Sequence, residues 1–147
     1  MNTAMAVKLA GKLGFTVLED LDHTADPKGL CVYWKSQIRL NVDLVADQKL
    51  HVLIHEICHA TGTADRLNRD SLTNYASHKL HQLVEETIVE MATVVLLTAM
   101  VGEVNKNPLS SLLTVCEDEG IEIDHDIQPE VERILDYLGP KIKELVK

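Results

Sequence analysis

The stretch DQKLHVLIHEICHATG, residues 47–62, decides how the rest of the chain reads. Leu50, Leu53, Ile54, Ile57 and Cys58 recur at a spacing near 3.6, which predicts a helix of about four turns closed by Gly62. The same segment carries His55, Glu56 and His59 as an H-E-x-x-H. On a helix, a spacing of four puts both imidazoles on one face, where they can occupy two tetrahedral positions of one Zn²⁺. Glu56 then lies beside the ion without ligating it, placed to take a proton from water that the metal activates. A random shuffle of this composition contains the motif with a probability of ~3%, so the letters alone are a moderate signal. Their placement on an amphipathic helix with an apolar opposite face strengthens it.

Working outward, residues 3–13 show helical spacing in Met5, Ala6, Leu9, Ala10 and Leu13 and stop at Gly14. Residues 15–18 read as a short strand and 18–29, LEDLDHTADPKG, as a polar loop. Leu30–Trp34 and the alternating Ile38, Leu40 and Val42, separated by Lys35, Ser36 and Gln37, predict a hairpin. Residues 63–74 form a polar connection, and a second long helix is expected over about 75–101. Asn107-Pro108 starts a helix over 109–115, 117–126 reads as an acidic turn, and 128–138 is a helix interrupted at Gly139-Pro140 before 141–147. Few strands in front and helices behind make the chain α+β, as one domain over 1–147.

Two histidines leave zinc short of a third protein ligand. The candidates are Glu86 with Glu90 one turn on, or His78 and His81. Glu86 and Glu90 sit four apart on an otherwise apolar helix, and two buried carboxylates need a reason, which ligation and support of a ligating histidine supply. Glu86 is therefore expected as third ligand, and Glu90 as the carboxylate bonded to His55 or His59. His51, one turn before His55 on the same face, has two readings, a residue lining the cleft or a partly exposed one, and the second is the expectation. Cys58 points away from the ligand face. Asp124, His125 and Asp126 lack a complete calcium-loop pattern and read as a solvated turn.

The 147 residues carry 14 Lys+Arg against 23 Asp+Glu, a net charge of −9. Scattered cations and an acidic balance argue against direct nucleic-acid binding. Three cysteines, Cys31, Cys58 and Cys116, form no CxxC, which fits a reducing compartment. The start MNTAMAVKLAGKLGF has no signal-peptide pattern, and the apolar run 87–101, broken by Glu90, is too short to span a bilayer. The expected location is cytoplasmic.

The run His55-Glu56-Ile57-Cys58-His59-Ala60-Thr61-Gly62, then Asp65-Arg66-Leu67-Asn68-Arg69, Tyr75-Ala76 and Glu85-Glu86-Thr87-Ile88-Val89-Glu90 resembles the zincin-type metallopeptidase domain of ArdC-like antirestriction proteins. The likeness covers about 55–96. More loosely, the chain is similar to ImmA/IrrE-type metallopeptidases, which place a hairpin before the H-E-x-x-H helix. The resemblance implies a minimal gluzincin-like fold, zinc on His55, His59 and Glu86, a catalytic Glu56, and a phage, prophage or plasmid connection. It departs from the antirestriction family in a longer Tyr75 to Glu85 interval. That family's single-stranded-DNA-binding domain has no counterpart in these residues, so its DNA binding is not carried over.

The leading expectation is a zinc metallopeptidase that cleaves a peptide bond by a zinc-activated water, with one Zn²⁺ per chain and a protein or peptide as substrate. Tyr75 or His78 is the expected oxyanion donor, and a substrate strand is expected at the edge of the 30–42 hairpin. Two alternatives stand beside it. One is a non-proteolytic zinc protein that binds and modulates a host defence or regulatory factor. The other is an acidic decoy for a nucleic-acid-binding partner.

Overall fold

Helix α1 (Thr3–Lys12) begins where Asn2 Oδ1 accepts a hydrogen bond from the Met5 amide at 2.9 Å, satisfying one of the donors that a helix start leaves open. The computed structural model describes residues 1–22, 28–61 and 78–146, apart from the side chains of Tyr33, His78 and Lys79. Ala6, Leu9 and Ala10 of α1 are buried, and the chain leaves the helix through Gly14, whose φ of +85° suits a residue without a Cβ.

Three strands follow: β1 (Thr16–Leu21), β2 (Gly29–Val32) and β3 (Gln37–Asn41). They form one mixed sheet in the order β1-β3-β2. The expected hairpin is present, with Cys31 opposite Ile38 and Gly29 opposite Leu40 in antiparallel register. A 3₁₀ turn over Tyr33–Lys35 and Ser36 at φ +54° replace an open loop between its strands. β1 pairs parallel to β3, so the later strand takes the centre and β2 is left at an edge. β1 also runs to Leu21, past the point where the polar composition of 18–29 predicts a loop. Arg39 explains part of that extension. Its guanidinium donates to both oxygens of Asp20 at 2.9 and 3.1 Å, giving this polar stretch a cross-strand partner.

Helix α2 (Ala46–Thr61) covers the predicted segment, and α3 (His78–Val101) runs against it. The predicted 63–74 connection, with Tyr75, lies outside the described residues. Helix α4 (Asn107–Asp118) carries Pro108 in its first turn, and α5 (Gln128–Leu145) closes the chain. Two expectations need correction here. The acidic segment 117–126 is not all turn: α4 extends to Asp118, and Ile123–Ile127 form one π-helical turn that leads into α5. Buried Ile121 and Ile127 pin this segment to the core, while Asp126 accepts from the Glu122 amide at 3.0 Å. Nor is α5 interrupted at Gly139-Pro140. Val131, Ile134, Leu138 and Ile142 form one buried stripe across the dipeptide. Pro140 and Asp136, whose carbonyl loses its amide partner, are exposed, so water can take the freed acceptor.

One apolar core joins every layer, through Leu9 of α1, Ile38 and Leu40 of β3, Leu53 and Ile57 of α2, Ile88 of α3 and Ile134 of α5. Each such side chain contributes about 1.5–3 kcal/mol by burial. That core fixes α2 between the sheet and α3. The edge strand β2 therefore lies against one side of α2, and the acidic stripe of α3 against the other. Among the described residues no helix is long and apolar enough to cross a membrane.

Candidate metal centre

His55 and His59 lie on successive turns of α2 with their ring centroids 5.0 Å apart. Both turn Nε2 toward the same group on α3. The Nε2 of His55 lies 3.1 Å from Glu86 Oε2, and the Nε2 of His59 lies 2.8 Å from Glu86 Oε1. The outer nitrogens have carboxylates of their own. His55 Nδ1–H donates to Glu90 Oε2 at 2.8 Å, and His59 Nδ1–H donates to Glu85 Oε1 at 3.1 Å. His51 Nε2–H donates to the second oxygen of Glu90 at 2.6 Å. Three histidines at i, i+4 and i+8 thus face three glutamates across the helix pair.

Electrostatics follow from that geometry. Burial disfavours charge on both imidazoles, but Glu86 and Glu90 outweigh it at His55 and raise its pKa to about 9. Glu85 and Glu86 do the same at His59, to about 10. Burial opposes ionisation of Glu86 and Glu90 as well. Hydrogen bonds from His55 and His59 hold Glu86 well below the usual carboxylate range, and those from His51 and His55 do so for Glu90.

Glu56 sits on the other side of His55, 7% exposed, with its pKa raised by burial. The backbone N–H of Cys31, on the edge strand, donates to its carboxylate. Gly29 makes this approach possible. A Cβ there would run into the Val52 side chain and come within 3.1 Å of Glu56 Cγ, so β2 could not lie this close to α2.

His55, Glu56 and His59 offer ligand atoms within 4.8 Å of one another, a group that can hold a metal ion. Two imidazoles with carboxylates beside them form a borderline donor set that suits Zn²⁺. His55 and Glu56 of this group line a cleft of about 1140 Å³. Gly29 and Lys28 border it on the β2 side, and Glu86, Glu90, Leu97 and Val101 line it along one stripe of α3.

The structure brings together His55, Glu56, His59, Glu86 and Glu90 as the sequence predicts, and it selects His55 as the motif histidine bonded to Glu90. The premise that both carboxylates are buried holds for Glu90, at 5% exposure, and fails for Glu86. The Glu86 side chain is 46% exposed because it faces the open cleft. The outer nitrogens of His55 and His59 go to carboxylates, and none of the described contacts of either ring runs to His81. His78 opens α3 with its side chain outside the described residues, as is the whole of Tyr75. Cys58 and Cys116 are buried, and none of the three cysteines is in a disulfide. His125 is 83% exposed and pairs with Asp126, and no metal-binding group is found at 124–126 among the described residues.

Sequence reasoning missed three contributors. His51 is the first of three histidines spaced four apart, and Glu85 is half of an acidic doublet. The Cys31 amide left no signal, because a backbone donor is set by strand placement alone. No protein-family model matches this sequence, and no match is found among curated proteins or solved structures.

Proposed function

We propose that the protein is a zinc-dependent metallopeptidase with a minimal gluzincin-like fold, in which His55, His59 and Glu86 hold one Zn²⁺ and Glu56 is the catalytic acid and base. The observation that carries this reading is the convergence of two imidazole Nε2 atoms on one half-open carboxylate, with a buried carboxylate beside them in an open cleft. The resemblance of residues 55–96 to the ArdC-type domain supports it and ties the role to phage, prophage or plasmid biology.

Bound zinc supplies Lewis acidity, which polarises a scissile carbonyl and lowers the pKa of water. Glu56 takes a proton from the attacking water and returns it to the leaving amine nitrogen. Its raised pKa makes it a stronger base than a solvated glutamate, and the Cys31 amide holds its carboxylate in one orientation. Glu90 and Glu85 keep the two imidazoles turned so that each Nε2 faces Glu86. The edge of β2 borders the same cleft through Lys28 and Gly29. An extended peptide laid along that edge gains main-chain hydrogen bonds that are indifferent to sequence.

Metal content measured by mass spectrometry on untagged protein tests the reading. Wild type should carry one zinc per chain, and His59→Ala and Glu86→Ala should lose or weaken it. Glu56→Gln should keep the metal and lose turnover of a peptide library. A wild-type chain that takes up no added zinc overturns the proposal. Zinc binding without any peptide turnover points instead to a non-proteolytic zinc protein.

A further inference from the structure

His51 lies one turn before His55 on α2, outside the H-E-x-x-H motif. Its Nε2 stands 2.6 Å from one oxygen of Glu90, whose other oxygen lies 2.8 Å from His55 Nδ1. Glu90 is 5% exposed and projects from a stretch of α3 where Ile88, Val89 and Ala92 are fully buried. A carboxylate withdrawn from water to that degree needs a donor at each oxygen. His55 supplies one, and among the described residues His51 supplies the other.

The last torsion of a glutamate is broad and roughly two-fold, so one hydrogen bond leaves the carboxylate plane free to turn. A second donor from another turn of the same helix removes that freedom. We propose that His51 is a positioning residue of the metal centre: acting through Glu90, it fixes the plane of the His55 ring and keeps Nδ1 as the donor, so that Nε2 is aimed at the metal position. The inference rests on the reading of His55 as a zinc ligand. It extends the support of that ligand one residue further than a carboxylate-histidine pair, to a side chain outside the proposed ligand set.

Two substitutions separate this role from simple space filling. The amide nitrogen of Gln reaches nearly as far from the backbone as imidazole Nε2, whereas Asn is one methylene shorter and cannot span to Glu90. Zinc affinity is read by competition with a chromophoric chelator, and ligand geometry by the visible absorption of the cobalt-substituted protein. Circular dichroism confirms that helix content is unchanged. His51→Asn should weaken zinc binding by about 10-fold or more, within the 10–100-fold range for outer supports of a metal site, and should alter the cobalt bands. His51→Gln should restore affinity to within about 3-fold and return the wild-type spectrum. Wild-type affinity and spectrum in His51→Asn overturn the inference while leaving the metal site standing. Equal losses in Asn and Gln variants also overturn it, because a donor at this position is then not what matters. A wild-type chain that binds neither zinc nor cobalt overturns the metal reading itself, and this inference with it.

Discussion

The two long sides of α3 obey opposite rules. One carries Glu86 and Glu90 against the histidines of α2, and the other carries Val84, Ile88 and Ala92, each without measurable exposure, with Glu85 on the flank between them. The apolar side is satisfied by any close-packed neighbour, and α2, α4 and α5 supply it. The acidic side is satisfied only by donors at fixed positions, and each described carboxylate contact to the α2 imidazoles falls between 2.6 and 3.1 Å. Burial is the non-directional part of the helix pairing, while the charged stripe adds contacts that favour one rotation and register. The stripe itself changes character along its length, since Glu86 and Glu90 give way to Leu97 and Val101 on the same side of the cleft.

Substitutions on each side should separate these roles. Glu56→Gln, on α2 within the metal centre that the charged side of α3 borders, should lower peptidase activity by about 10²–10⁴-fold. It should leave zinc bound and thermal stability unchanged or higher, since a buried carboxylate is exchanged for a neutral amide. Ile88→Ala, on the apolar side, should do the reverse. It should cost about 2–5 kcal/mol in urea unfolding and leave zinc stoichiometry in the folded fraction at one. Equal effects of both variants on stability and activity would erase the distinction between the two sides.

Gly29→Ala tests the opposite flank of α2. The added Cβ must push β2 away from Val52, at about 1–3 kcal/mol for such overpacking, and it should draw the Cys31 amide off Glu56. Activity should then fall more than stability predicts, as read from turnover at a temperature where the variant stays folded.

The smallest effect is one of protons. His55 and His59, with pKa values of about 9 and 10, are both charged at pH 7 without metal. Zinc binding must displace the Nε2 protons, so about two protons should be released at pH 7, measured by titration calorimetry in buffers of different ionisation enthalpy. For the metal-free chain the sign runs the other way. A raised folded-state pKa gives stability that is complete below the unfolded value of 6.5 and lost as pH rises through about 9 to 10. Thermal melts of chelator-treated protein should decline across that window, whereas zinc affinity should rise with pH.

The histidine pair, its glutamate and the acidic partners on α3 were legible because helical spacing is geometric. Residues four apart share a face wherever the helix goes. The hairpin was legible through alternation and its polar turn. Pro140 was misread because local propensity counts the lost backbone bond and cannot see the buried stripe from Val131 to Ile142 that outweighs it. The extension of β1 and the helical turn at 123–127 were hidden for the same reason, since their stabilising partners are remote or buried.

What the sequence determined by itself is the list of groups and the face of the helix on which each stands. It placed His55 and His59 together and set Glu86 and Glu90 four apart. Only the tertiary structure decided the pairings: which oxygen meets which nitrogen, that Glu86 faces an open cleft while Glu90 is sealed, and that His51 shares Glu90 with His55. It also decided that β2 lies at the edge beside Glu56. The reason is that a local period fixes direction around one helix axis, whereas contact between elements depends on how the common core sets the distance and rotation of one axis against another.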